Sequence, residues 1–132
     1  MTVSEPARLL VLDDEEALAF VLSRIAQRAG WAVETAATVA AFQAQFHTAH
    51  PDLIMLDLRL GEVDGLDQLR FLQAENYAGA IVLMSGDVDS VLREASELGR
   101  SLGLAVVGTL GKPATNNEIR ELLATLYRSC RG

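Results

Sequence analysis

Four apolar runs in this chain each stop on a polar residue able to do chemistry: LLVL at Asp13 and Asp14, LIML at Asp57, IVLM at Ser85, and VVGTLG at Lys112. Runs that are apolar without alternation suit strands covered on both faces of a parallel sheet. Between them the apolar positions take helical spacing. Leu18, Val21, Leu22 and Ile25 mark one helical face, with Gly30 just beyond its end. WAVETA (31–36) reads as a strand, and Thr38 caps a helix carrying Val39, Phe42 and Phe46. His50, Pro51 and Asp52 make a turn before LIMLD, and GEVDG (61–65) is loop chemistry. Leu66, Leu69 and Leu72 begin a third helix that breaks over 76–79. Asp87 or Asp89 can cap a fourth, with Val91, Leu92, Ala95, Leu98 and Leu102 on its buried face and Gly103 at its end. LAVVGTL (104–110) is the fifth strand. A capping box, Thr115-Asn116-Asn117-Glu118, opens the last helix, where Ile119, Leu122, Leu123 and Leu126 fall at helical spacing.

Five strands alternating with five helices predict an α/β fold: a five-stranded parallel sheet, doubly wound by right-handed crossovers. The pattern shows no repeat or linker, so residues 1–132 read as one domain with its core at roughly 7–129. Ligands of such sheets bind beyond the carboxyl ends of the strands, where the strand order switches. All four reactive termini then share one pocket, with three carboxylates, a hydroxyl and an ammonium.

Charge and composition narrow the partners. A formal net charge of -7 lacks the clustered Lys and Arg that grip a phosphate backbone, so direct nucleic-acid binding is not expected. No apolar stretch approaches the roughly 20 residues of a bilayer span, and the first residues lack the order of a signal peptide, which leaves no membrane role and the cytoplasm as the default compartment. Cys130 has no second cysteine to pair with and reads as a surface thiol or part of a fraying tail. His47 and His50 flank a turn without metal-ligand spacing, Trp31 and Tyr127 read as packing residues, and Glu15 and Glu16 as charge favourable to the first helix dipole.

Three carboxylates converging on one site repel one another unless a cation joins them. A hard divalent ion such as Mg²⁺ meets that need with one or two carboxylates, a backbone carbonyl and several waters, and it accepts phosphate oxygens readily. Taken singly, Asp57 or Asp14 after an apolar run most often caps a helix, Ser85 is a turn hydroxyl and Lys112 a solvated charge. Together, in this order and at strand ends, Asp13-Asp14, Asp57, Asp64-Gly65, Ser85-Gly86 and Lys112-Pro113 resemble the receiver domain of two-component response regulators over essentially the whole chain.

That resemblance implies a flavodoxin-like (βα)5 fold in which Asp57 is the phosphoacceptor, taking a phosphoryl group from a histidine kinase or phosphotransfer protein. It implies Asp14 and Asp57 as direct Mg²⁺ ligands, Asp13 acting mainly through water, and the Arg59 backbone carbonyl completing the set. Lys112 and Ser85 would meet phosphoryl oxygens, and Pro113 would follow a cis peptide bond. Apart from self-phosphorylation and autodephosphorylation, no enzyme activity is implied. Output would pass through a surface near the fourth helix to an output domain, a target protein or a phosphorylation-dependent dimer. LGLAVVGTLGKP is similar to strand-five regions of receivers joined to cyclic-di-GMP phosphodiesterase domains, which adds that class as a partner.

The chain departs from the family pattern in two places. Thr109 stands where an aromatic ring commonly reports the switch, and Gly61 stands where the loop often has Pro. Arg59 and Asp87, each two residues beyond a site residue, are expected to form an oppositely charged gate over the pocket. Thr109 motivates a competing reading, a constitutive interaction module of receiver fold that needs no phosphate. A hydrolase of haloacid-dehalogenase type would need a second Asp two residues after Asp57, where this chain has Arg59.

Overall fold

The computed structural model describes residues 5–60, 63–86 and 89–131. Its main sheet holds β1 (Arg8–Leu12), β2 (Ala32–Ala36), β3 (Leu53–Asp57), β6 (Ala80–Ser85) and β7 (Ala105–Gly111), in the order β2-β1-β3-β6-β7 with every pairing parallel. The helices are α1 (Glu16–Arg28), α2 (Val39–Ala49), α3 (Leu66–Ala74), α4 (Asp89–Ser101) and α5 (Asn116–Arg131). β4 (Arg59–Leu60) and β5 (Val63–Asp64) form a short antiparallel hairpin. That hairpin revises the reading of 61–65 as loop throughout: two-residue strands are too short to show a period of two.

The unbroken apolar runs are the central strands. β3 is buried along its whole length, and β1 and β6 are buried except at their first residues. Because successive side chains point to opposite faces, each strand feeds two cores. Leu10, Leu12, Ile54, Leu56, Ile81 and Leu83 pack with Phe42, Leu69, Leu72, Leu92 and Ala95 on one face. Leu9, Val11, Leu53, Met55, Val82 and Met84 pack with Leu22, Ala26, Ile119 and Leu123 on the other. Each fully buried Leu or Ile contributes about 1.5–3 kcal/mol.

Local signals act where the sequence puts them. Thr38 accepts the Ala41 N–H at 3.1 Å and Thr115 the Glu118 N–H at 3.1 Å, so both expected caps form. Gly30 takes φ +110° just past α1, a conformation costly for any residue with a Cβ. Trp31 is indeed a packing residue: its Nε1–H donates to the Leu123 carbonyl at 3.0 Å, and its ring meets Tyr127 edge-on at 5.3 Å.

Two side-chain readings change. Cys130 lies within α5, partly exposed beside the second core, where burial pushes its thiol up, so it is not part of a loose tail. His47 belongs to the last turn of α2, with its ring edge-on to Phe46 and Phe71, and only His50 enters the turn. In β7 the register jumps from Ile81↔Val106 to Val82↔Gly108, leaving Val107 as a bulge on the edge strand, 48% exposed.

Candidate functional site

The sheet brings the reactive termini together at one edge. Asp13 directly follows β1, Asp57 ends β3, Ser85 ends β6 and Lys112 directly follows β7. β1 and β3 are neighbours although β2 lies between them in sequence, which makes their junction the switch in strand order. Asp14, Asp57, Arg59, Gly86, Lys112 and Pro113 contribute to the lining of an open cavity of about 640 Å³ there.

Asp13 and Asp57 are held alike. Asp13 Oδ1 accepts the Glu15 N–H at 2.9 Å and Asp57 Oδ1 accepts the Arg59 N–H at 3.2 Å, each bond reaching two residues forward as Asp side chains do in turns. The other oxygen of each meets Lys112 Nζ, at 2.8 Å from Asp13 Oδ2 and 3.0 Å from Asp57 Oδ2. Both aspartates are buried, Asp14 is exposed, and oxygens of all three lie within 4.8 Å of one another. This oxygen-only donor set suits a hard cation such as Mg²⁺.

The electrostatics follow from burial. Desolvation pushes Asp57 up to about 6, opposed by the Lys112 hydrogen bond and the Arg59 N–H. Burial also works against the Lys112 charge, yet its bonds to Asp13 and Asp57 outweigh that, so its pKa rises above the usual value. The lysine therefore stays charged and neutralises a pair of buried carboxylates.

Other site residues take definite places. Ser85 is buried, and its carbonyl accepts the Lys112 N–H at 2.9 Å, which ties the ends of β6 and β7. The Lys112–Pro113 bond is cis. Arg59 opens the short hairpin, paired with Asp64. Thr109 is exposed on β7 opposite Leu83. Asp87 and Gly61 lie outside the described residues, so the expected gate has only its Arg59 half in view.

Two features escaped the sequence reading. Glu15 does not merely favour the helix dipole, because its Oε1 lies 3.3 Å from Lys112 Nζ while Glu16 opens α1. Nothing in a first-turn glutamate reveals the direction in which its helix leaves the sheet. Gly65 packs directly on the end of β3, where a Cβ would lie 2.6 Å from the Asp57 carbonyl oxygen and 2.8 Å from Leu58 Cα. Gly65→Ala is expected to cost about 1–3 kcal/mol and to displace Asp57. Urea unfolding, with the Mg²⁺ affinity of the variant, checks both effects.

The response regulator receiver domain family model matches residues 9–124. The probable transcriptional regulatory protein TcrX of Mycobacterium tuberculosis is 33% identical over 81 residues, 61% of this chain and 35% of TcrX. The cyclic di-GMP phosphodiesterase RocR of Pseudomonas aeruginosa is 36% identical over 85 residues, 62% of this chain and 21% of RocR. A Burkholderia pseudomallei response regulator structure, with a phosphorylated aspartic acid, calcium ion and citrate, matches with a TM-score of 0.74 at 25% identity, covering 95% of this chain and 71% of that one. This chain thus spans about a third or less of the two relatives' own length.

Proposed function

Because the chain belongs to the response regulator receiver domain family, we propose that Asp57 accepts a phosphoryl group from a histidine kinase or phosphotransfer protein and that the added charge resets an interaction surface. The observation that carries this reading is the Lys112 ammonium seated between two buried carboxylates, with the Asp14 carboxylate beside them.

In the transfer, an Asp57 carboxylate oxygen attacks phosphorus. The bond from phosphorus to the donor imidazole nitrogen breaks, and the imidazole keeps that electron pair. The protein supplies positioning and charge neutralisation, which is most of what phosphoryl transfer requires. The Arg59 N–H orients Asp57, Lys112 meets a phosphoryl oxygen, and the Ser85 hydroxyl meets another. Asp13, Asp14, Asp57 and the Arg59 carbonyl would hold Mg²⁺, which when bound neutralises phosphoryl charge. The phosphoryl group brings about -1.5 to -2 charge beside Lys112 and Ser85 and draws both inward. The loop after β6 then moves with Ser85 and alters the surface of α4.

Such a domain works in the cytoplasm beside its kinase. Its output passes to a joined or separate protein, and the likeness to RocR supports a cyclic-di-GMP phosphodiesterase as one class of output. The test is incubation with a small phosphodonor and Mg²⁺. Wild type should gain one phosphoryl group that maps to Asp57, and Asp57→Ala should gain none. Phosphorylation of both at equal rates would defeat the assignment.

Exposed Thr109 favours a second reading, a constitutive module, because a small side chain cannot report the switch by burying a ring. An adduct that leaves partner affinity and self-association unchanged would select it.

A further inference from the structure

A lysine ammonium carries three N–H donors, and three carboxylate oxygens surround Lys112: Asp13 Oδ2 at 2.8 Å, Asp57 Oδ2 at 3.0 Å and Glu15 Oε1 at 3.3 Å. The contacts to Asp57 and Glu15 are hydrogen bonds, and that to Asp13 is an ion pair. An oxygen of a phosphoryl group on Asp57 competes with these carboxylates for the ammonium.

The three partners are not equally replaceable. The Asp13 and Asp57 side chains are 0% and 3% exposed, and a buried carboxylate that loses its ammonium is left as an uncompensated charge. Glu15 is 64% exposed and makes the longest contact, so water can take over its solvation at little cost. Its backbone is fixed meanwhile, since the Glu15 N–H donates to Asp13 Oδ1 at 2.9 Å. Only its side chain needs to swing.

We infer that Glu15 is the exchangeable partner of Lys112: it holds the ammonium beside Asp57 in the unmodified protein and yields its place to a phosphoryl oxygen. This rests on Asp57 being the phosphoacceptor. Glu15 is then a positioning residue that weakens anion capture, because capture competes with its ion pair to Lys112.

Beryllofluoride with Mg²⁺, a stand-in for the phosphoryl group, tests the exchange in wild type, Glu15→Gln and Glu16→Gln. Glu16 carries the same charge one residue along, in the first turn of α1, and is exposed. Glu15→Gln should bind beryllofluoride about three- to fivefold more tightly, the scale of one exposed ion pair, and Glu16→Gln should stay close to wild type. A second readout uses the fact that Lys112 is the only lysine. With ¹³Cε-labelled lysine the protein shows one signal, which Glu15→Gln should shift in the free protein and leave unmoved in the adduct. Equal tightening by both variants, no tightening by Glu15→Gln, or a shift that persists in the adduct would each overturn the inference alone. Failure of wild type to form any adduct would instead remove the phosphoacceptor reading and the exchange with it.

Discussion

Without a divalent ion, Asp57→Asn is expected to be more stable than wild type at pH 7 and to lose that advantage in acid. Burial raises Asp57 from the usual 3.8 to about 6. A raised folded-state value means that the contribution of Asp57 to stability is fully present below about pH 3.8 and is lost as pH rises through about 6. Between those values the unfolded chain has released the proton while the folded protein still holds it, so stability falls with rising pH. The full separation corresponds to roughly 3 kcal/mol. A measured gain of about 1–3 kcal/mol allows for the weaker bond that Lys112 makes to an amide oxygen. Urea unfolding of both proteins at pH 4 and pH 7 measures it. Mg²⁺ should then stabilise wild type at pH 7 far more than the variant, since binding to the folded state alone adds stability. A variant no more stable at pH 7 than at pH 4, relative to wild type, would show that Asp57 does not hold this electrostatic cost.

Lys112→Met should act in the opposite direction. It leaves Asp13 and Asp57 buried and close together with no counter-charge, and breaking a buried pair from one side costs about 3–5 kcal/mol. Protonation of one carboxylate limits the loss, so the deficit should shrink as pH falls, and Mg²⁺ should recover much of it at pH 7. Combining Lys112→Met with Asp57→Asn should be less harmful than the sum of the single effects, because the pair that repels is no longer charged. Capture of beryllofluoride should weaken by tenfold or more, the scale of one lost charge-assisted hydrogen bond. A Lys112→Met protein as stable as wild type in metal-free buffer at pH 7 would mean that the ammonium is not what neutralises this site.

These effects rest on residues whose types were readable in the chain and whose contacts were not. Asp57 and Lys112 could be named because each ends an apolar run, and an apolar run of five residues covered on both sides has few fates other than a central parallel strand. Thr38 and Thr115 were readable as caps because a cap is a contact within a few residues. The boundary of β7 was harder. Its run is interrupted by Gly108 and ends on Gly111, and its bulge at Val107 depends on pairing with β6, which no local pattern carries. Cys130 departs from its reading for a related reason: its nearness to the chain end suggested a loose tail, but α5 continues through it and sets it, partly exposed, beside the second core. Glu15 shows the same limit at the site. As a first-turn acid it satisfies a local rule completely, and only the meeting of β1 with the end of β7 supplies the lysine it contacts.

The sequence by itself determined the alternation of strands and helices, the two-faced burial of the central strands, and the chemical types at their carboxyl ends. It did so because hydrophobic period and capping are local physics, carried by residues a few positions apart. Tertiary structure alone decided which oxygens share the ammonium of Lys112. That outcome depends on the order β2-β1-β3-β6-β7, which brings residues 13, 57 and 112 within hydrogen-bonding distance across separations no periodicity can encode. Burial at that junction, and no property of aspartate itself, is what moves Asp57 out of the ordinary carboxylate range.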